Sequence, residues 1–483
     1  MFVDREKELR ALRERWKRGK AELIIVYGRR RVGKTAILKE FLGEAGGVYL
    51  LGRQQSEMDH LRRFSQVLAE HFGDKFVEKS PFTNWDAFFE YIHQKAVKER
   101  VTVVFDEFPY VVAGSPHLPS VVQDYWDSKL HSTKVFMVLC GSSIGMMEEL
   151  LGARSPLYGR RTGQIQVKPF PFSSARLFFP RYDFREQIVA YAILGGTPGY
   201  LVQFEDKLSV FDNIREKILR TDAFLYQDPV FVLREEVKEP RYYFSILRAI
   251  AHGRTKLGEI INATGLPRGL VAKYLSTLSD LQIVEREVPV TERRPEKSRR
   301  GIYKIRNNYF RFWFRYVHTH MDEIEMGETG YVMKAIRRDI NTFVSQTFED
   351  VCREALQKLN VSRKLPFTFT KMGRWWRGDQ EIDVVAVNQE TGEMLIAECK
   401  WREKPASPRD IADMMRKAEN VEWTGGEGEK HFAYFSSGGF TEAALGLCKE
   451  EKMLAFDLAA LEEVFSEGRT SAMKGKTPQQ VQD

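Results

Sequence analysis

A chain of 483 residues is too long for one hydrophobic core and is expected to divide into roughly three domains. With 43% hydrophobic and 29% charged residues and no uninterrupted run of 18 apolar residues, it reads as a globular protein with no membrane span. A formal net charge of +7 invites a polyanionic partner if the cations cluster. Cys140, Cys352, Cys399 and Cys448 are too scattered for a disulfide framework or a paired-cysteine zinc site. The N-terminal stretch lacks a signal-peptide profile, and the expected location is the cytoplasm.

Residues 1–20 read as a charged amphipathic helix leading into a strand. Four β-favouring residues, Leu23 to Val26, then run into Gly28-Arg-Arg-Arg-Val-Gly33-Lys34-Thr35, and a helical pattern opens after Thr35. Strand, glycine loop and helix in this order predict a nucleotide-binding loop, whose backbone amides curl round phosphate oxygens at a helix N-terminus. The candidate ATP contacts are Gly28, Arg31, Val32, Gly33, Lys34, Thr35 and Ala36. Lys34 is expected to reach the β- and γ-phosphates, and the Thr35 hydroxyl to hold Mg²⁺.

The next landmark, Val101-Thr-Val-Val-Phe-Asp106-Glu107, has the continuous apolar character of a strand buried in a parallel sheet and ends in two acids. Ligands bind at such carboxyl ends. Asp106 is a candidate for the metal, and Glu107 for orienting the water that attacks the γ-phosphate. A third buried run, from Lys134 to Cys140, ends in Gly141-Ser142-Ser143, where either serine can sense the γ-phosphate. Arg160, in Ser155-Pro-Leu-Tyr-Gly-Arg160-Arg161, can neutralise transition-state charge if a neighbouring subunit or domain presents it; a solvated surface arginine is the alternative. Leu194-Gly-Gly-Thr-Pro198-Gly-Tyr200 falls within a helical region.

These landmarks resemble, over about the first 235 residues, the archaeal-type ATPases of the AAA/STAND group. In that resemblance Asp106-Glu107 is the Walker B motif with its catalytic glutamate, the strand before Ser142 is the sensor strand, and Pro198 lies at the base of a helical lid, a plain helix–helix turn being the equal alternative there. It also implies adenine or ribose contacts near Arg5 and Glu6, residues that serve equally well as a plain helix cap.

From about residue 236 to 318 the pattern changes to short helices: Tyr243 to Ile250, Leu257 to Ile261, the turn Thr264-Gly-Leu-Pro267, and a basic amphipathic helix from Arg268 to Leu278. Two short strands, Ile283–Val288 and Gly301–Ile305, flank Thr291-Glu-Arg-Arg-Pro-Glu-Lys-Ser-Arg-Arg300. This is a winged helix-turn-helix pattern with a basic wing suited to DNA phosphates, and protein docking is the other use of such a unit. The aromatic helix Asn308 to Tyr316 suggests packing between domains, and residues 319–340 a helical linker.

Residues 341–465 carry a second candidate site. After a helix containing Glu349 come Glu381-Ile-Asp383, a turn at Gly392, and a returning strand with Glu398-Cys399-Lys400. Alternation places Glu381 with Asp383 on one strand face, and Glu398 with Lys400 on another, so three acids and a lysine can converge. Asp383 and Glu398 are candidate ligands for Mg²⁺ or Mn²⁺, and Lys400 can hold an attacking water. The spacing, with Glu349 upstream, resembles the PD-(D/E)xK nuclease superfamily, although Ile382 stands where the family has proline. The last stretch, 466–483, has almost no apolar residues and is expected to be disordered.

The fold expected is α/β multidomain: a P-loop AAA-type ATPase core with a helical lid, a winged helix-turn-helix and a C-terminal restriction-endonuclease-like α/β domain. This order resembles archaeal and bacterial ATPases whose C-terminal domain is of unknown function. It implies a DNA-binding, Mg²⁺-dependent ATPase coupled to a metal-dependent endonuclease, as a homo-oligomer, suited to genome defence or mobile-element processing. The alternative is a nucleotide-driven switch or transcription regulator whose nuclease-like domain only binds DNA or a partner.

Overall fold

The structure is a computed structural model and describes residues 2–153, 155–237, 239–423 and 428–467. The terminal stretch expected to be disordered therefore lies, from residue 468 on, outside the described residues. Contacts divide the chain into two compact units: Met1–Phe170 with Thr197–Gly199 and Arg234–Lys238, and Pro171–Gly196 with Tyr200–Leu233 and Glu239–Asp483. Among the described residues no helix is long and apolar enough to cross a membrane.

The first unit is built on five parallel strands: β1 (Glu22–Tyr27), β2 (Val48–Leu51), β3 (Val101–Asp106), β4 (Val135–Gly141) and β5 (Gly163–Gln166). Their order is β2-β3-β4-β1-β5. The continuous apolar runs reflect burial of the sheet on both faces. Leu23 and Ile25 join Phe64, Trp85, Phe88 and Phe105 on one face, while Ile24 and Val26 pack with Ile37, Phe41 and Val138 on the other. Helix α1 (Glu6–Lys17) precedes β1, α2 (Lys34–Ala45) follows the glycine loop, and α3 (Phe108–Gly114) follows β3. The parallel arrangement brings the carboxyl ends of β1, β3 and β4 to one edge of the sheet.

In the second unit, α4 (Phe184–Leu194) opens with a capping box in which Asp183 and Glu186 bond each other's backbone amides. Helix α5 (Phe224–Glu236) starts in this unit and ends in the first. Helices α6 (Pro240–Ala251), α7 (Leu257–Thr264) and α8 (Arg268–Asp280) are followed by the antiparallel pair β6 (Val284–Glu287) and β7 (Ile302–Ile305). Three short helices and a two-stranded ribbon make the winged helix that the periodicity predicts.

One helix, α9 (Thr329–Val361), then runs across the position where a linker is expected to give way to a new domain. From Tyr331 to Val361 there is neither glycine nor proline, so nothing in the chain stops it. The sheet that follows contains β8 (Lys371–Arg377), β9 (Gln380–Val387), β10 (Met394–Lys400), β11 (Lys430–Ser436) and β12 (Leu454–Phe456), in the order β12-β11-β10-β9-β8. The expected hairpin is β9 with β10, antiparallel, in register from Val387↔Met394 to Val384↔Ala397. Strand β8 is an addition to that hairpin, turned into β9 through Gly378-Asp379, a pair suited to a two-residue hairpin loop. Strands β10, β11 and β12 are parallel, and α10 (Pro408–Glu419) lies in the connection from β10 to β11.

Candidate functional site

At the edge where β1, β3 and β4 end, Gly28 lies so close to the chain leaving β5 that a Cβ would come within 2.2 Å of the Val167 carbonyl oxygen. Gly33 caps α2 with φ of 95°, a left-handed conformation that favours glycine. Between them Arg31 also has positive φ, and its carbonyl accepts from Gly199 N at 3.1 Å. The buried Val32 offers its carbonyl to Arg5 Nη2 at 2.6 Å. Thr35 and Ala36 are the exposed residues in the first turn of α2, where helix amides have no partner in the helix. Lys34 is buried, with Nζ donating to Gly28 O at 2.8 Å and Arg29 O at 2.9 Å. Burial lowers its pKa, against the pull of Cys140, Glu107 and Asp106.

The buried Asp106 is the acceptor on which three donors converge. Its Oδ2 accepts from Thr35 Oγ1 and from Tyr49 OH, each at 2.6 Å, and its Oδ1 accepts from Glu107 N at 3.0 Å. Hard oxygens of a threonine and a carboxylate at this spacing fit Mg²⁺. Glu107 has φ of 53°, a left-handed conformation that costs a residue with a side chain about 1–3 kcal/mol. Its Oε1 accepts from Ser142 Oγ, and its Oε2 accepts from Ser142 N at 3.3 Å. The structure thus brings together all the predicted residues of this site except Arg160. The Arg160 guanidinium pairs with Asp127 at 3.0 Å and donates to Tyr158 O. Arg5 donates to the Val32 and Lys168 carbonyls, with its guanidinium 3.9 Å from the Phe170 ring centroid. It braces the loop from behind.

In the C-terminal sheet, Asp383 and Glu398 are both buried, on β9 and β10. Lys400 Nζ contacts Glu398 Oε1 and lies 3.9 Å from Asp383 Oδ2, so one ammonium bridges two carboxylates. That spacing keeps the carboxylates closer than the separation of about 8 Å beyond which they could not share an ion. Asp383 Oδ2 also accepts from Cys399 N at 2.9 Å, and Lys417 of α10 reaches Glu398 Oε1 at 3.3 Å. Glu398 Oε2 is buried with no hydrogen-bond partner among the described residues. An orphaned buried carboxylate oxygen fits a cation.

Glu349, on α9, is held differently. Arg374 Nε lies 3.3 Å and Arg353 Nη2 3.8 Å from its Oε2, and Arg374 also pairs with Glu381 at 3.3 Å. Burial raises the Glu349 pKa to about 7, with Arg374 opposing and Asp383 adding to the rise. Glu381, expected to converge with the other acids, is turned out to Arg374 with its side chain 62% exposed. Among the described residues no group of three His, Cys, Asp or Glu side chains is arranged to hold a metal ion.

Known proteins resemble this chain over most of its length. A family model described as an ATPase domain predominantly from Archaea matches residues 2–204. An uncharacterized protein of Methanocaldococcus jannaschii is 35% identical over 426 residues, covering 87% of this chain and 92% of its own length. The chain belongs to this archaeal ATPase family. A second model, of archaeal and bacterial proteins of unknown function, matches residues 313–413, and an IclR helix-turn-helix model matches 243–288. An uncharacterized ATP-binding protein of the same organism is 60% identical over 42 residues, 9% of this chain and 71% of that protein. Among solved structures, the Walker-type ATPase of Pyrococcus abyssi aligns with a TM-score of 0.51 at 24% identity, covering 65% of this chain and 96% of that one. That likeness supports the fold.

Three residues of this archaeal ATPase stand at the first site although no sequence motif singles them out. Tyr49 on Asp106, Tyr110 in the cavity beside Glu107, and Glu236 on Ser143 Oγ at 3.3 Å all arrive from separate elements. No spacing along the chain signals any of them.

Proposed function

We propose that this protein is an ATP hydrolase that binds DNA. The observation that carries the reading is the meeting of Thr35, Asp106, Glu107 and Ser142 beside the glycine loop. In this reading Gly28, Arg31, Val32, Gly33 and Lys34 hold the phosphates of ATP together with the first-turn amides of Thr35 and Ala36. Thr35 and Asp106 hold Mg²⁺, which offsets phosphate charge. Glu107 polarises the attacking water, and Ser142 positions that carboxylate. Arg160, tied to Asp127 on its own surface, serves a γ-phosphate only across a copy interface, so its role comes with a homo-oligomer. DNA is met by the winged helix, whose wing exposes Arg293, Arg294, Lys297 and Arg299. Glu107→Gln is expected to keep ATP affinity and to lose at least ~100-fold in turnover, since general-base contributions run to about 10²–10⁴-fold. Unchanged hydrolysis by this variant removes Glu107 from the mechanism.

A second activity, metal-dependent DNA cleavage, is favoured by the Asp383, Lys400 and Glu398 cluster with its orphaned Glu398 oxygen. The helix α9, the β8-β9-β10 meander and the α10–β11 return agree with a nuclease-like fold. Asp383 and Glu398 would hold Mg²⁺ or Mn²⁺, Lys400 would orient water and stabilise charge on the phosphodiester, and Glu349 would act behind them. Plasmid, linear duplex and single strands incubated with either metal, with and without ATP, test it. Cleavage by the wild type that is lost in Asp383→Ala and Lys400→Ala, with ATP hydrolysis intact, is expected. A wild type that binds DNA and cuts none of these leaves a DNA-binding scaffold.

A further inference from the structure

Arg30 lies within the glycine loop, yet it has no part in the phosphate and metal contacts assigned above. Its Nη2 donates to Tyr110 OH at 2.7 Å, its Nη1 lies 2.9 Å from Glu235 Oε2, and its Nε is buried with no hydrogen-bond partner among the described residues. Arg30, Tyr110, Glu107, Ser143, Glu235 and Glu236 line one cavity of about 570 Å³. This cavity opens on the carboxylate that faces the attacking water. Burial alone would lower the Arg30 pKa, but Tyr110, Glu235 and Glu107 outweigh it. A permanent cation therefore pairs with the acidic end of α5 while it sits in the glycine loop and interacts with Lys34.

We propose that Arg30 contacts the γ-phosphate from within the same chain, and that Glu235 competes with that phosphate for it. The inference rests on the ATP-hydrolase reading and adds a residue to that site. The competition is physically uneven. Glu235 is 49% exposed and offers one contact, and a half-exposed ion pair of this kind is weak. A terminal phosphate carries more charge and accepts two parallel N–H bonds from a guanidinium fork. Nη1, which Glu235 holds, and Nη2, which bonds Tyr110, are the parallel arms of such a fork, so a phosphate that displaces Glu235 can be met by both. Glu236, the next residue, accepts from Ser143, which follows the serine that holds Glu107. Both acids at the end of α5 thus touch groups beside the γ-phosphate position.

The test uses the full-length protein with Mg²⁺, measuring turnover and the separate affinities for ATP and ADP in Arg30→Ala, Arg30→Lys, Glu235→Gln and the Arg30→Ala/Glu235→Gln pair. Arg30→Ala is expected to lose about 100-fold or more in turnover, below the ~10³–10⁵-fold of arginines supplied to GTPases, while ADP affinity stays within about 2-fold. Arg30→Lys keeps the charge, loses the fork and is expected to fall between, about 10-fold down. Glu235→Gln should act in the opposite direction. It is expected to tighten ATP about 3- to 10-fold without affecting ADP, and to do nothing once Arg30 is alanine. Equal hydrolysis by Arg30→Ala and wild type overturns the proposal, as does a Glu235→Gln protein that weakens ATP and ADP alike, which marks a purely structural ion pair. A wild type that neither binds nor hydrolyses ATP overturns the underlying ATP-hydrolase reading as well, and the two failures are thereby told apart.

Discussion

Asp106 Oδ2 accepts from two hydroxyls at 2.6 Å, and only one of them, Thr35, belongs to the nucleotide loop. The other, Tyr49, comes from β2, the outer neighbour of β3. Burial, with the bond to Asp106 adding to it, pushes the Tyr49 phenol pKa well above its ordinary value, so it remains a donor across the accessible pH range. A carboxylate kept in one orientation by such a donor meets a metal without first having to be ordered. Tyr49→Phe is therefore expected to raise the Mg²⁺ concentration for half-maximal ATP hydrolysis by about 3- to 10-fold, the equivalent of one net hydrogen bond, with ATP affinity in EDTA unaltered. A Mg²⁺ titration of activity checks this, and an unmoved midpoint makes Tyr49 a packing residue.

The wing between β6 and β7 is where the excess positive charge is exposed, but the structure reduces the number of cations free to meet DNA. Arg300 pairs with Glu292 at 2.8 Å, and its carbonyl accepts from Trp376 Nε1 at 3.2 Å. Arg286 is spent within the wing, donating to the carbonyls of Pro295 and Ser298. Of the four arginines in the loop, Arg294 and Arg299 are thus the better candidates for phosphate contact. Replacing these two with alanine is expected to reduce the slope of log K against log salt by up to about 1.8, at ~0.9 per phosphate contact. Adding Arg300→Ala should change the slope little while lowering the melting temperature. Binding isotherms at several salt concentrations decide it, and an unaltered slope moves DNA to another surface.

At the scale of the whole molecule, residues 171–196 and 200–233 cluster with the C-terminal half of the chain although they follow the ATPase sheet in sequence. The contacts are specific. Phe172 N and Ser173 N donate to Glu354 of α9 at 2.7 and 3.0 Å, Asn308 Nδ2 donates to Tyr191 O at 3.0 Å, and Trp313 Nε1 donates to Tyr226 O at 2.6 Å. A fragment cut at residue 235, the boundary expected from sequence, would strand Phe172, Tyr191 and Tyr226 without these partners. Such a fragment is expected to aggregate or to lose near-UV dichroism while retaining helix, whereas the full chain unfolds cooperatively. A soluble, monodisperse fragment with a sharp melt would contradict this.

Much of the ATPase centre is legible in the amino-acid sequence, because it is written locally. A strand, two glycines, Lys34 and Thr35 must be contiguous for amides and a helix N-terminus to surround phosphate, and Asp106-Glu107 must close a buried apolar strand. The wing and the β9–β10 hairpin are legible for the same reason, their periodicity and turn residues being short-range. Strand β8 escapes such a reading despite its Gly378-Asp379 turn, since the apolar signal of Lys371–Arg377 is weak and its burial only partial. Tertiary structure alone decides which groups meet across elements. Tyr49 and Glu236 reach the ATPase site from other elements, Glu235 pairs with Arg30 from the far end of α5, and Arg374 of β8 pairs with both Glu349 and Glu381. The length of α9 and the allegiance of residues 171–196 and 200–233 belong to the same class, for the physical reason that burial and ion pairing between distant segments leave no period, spacing or turn signal in the chain.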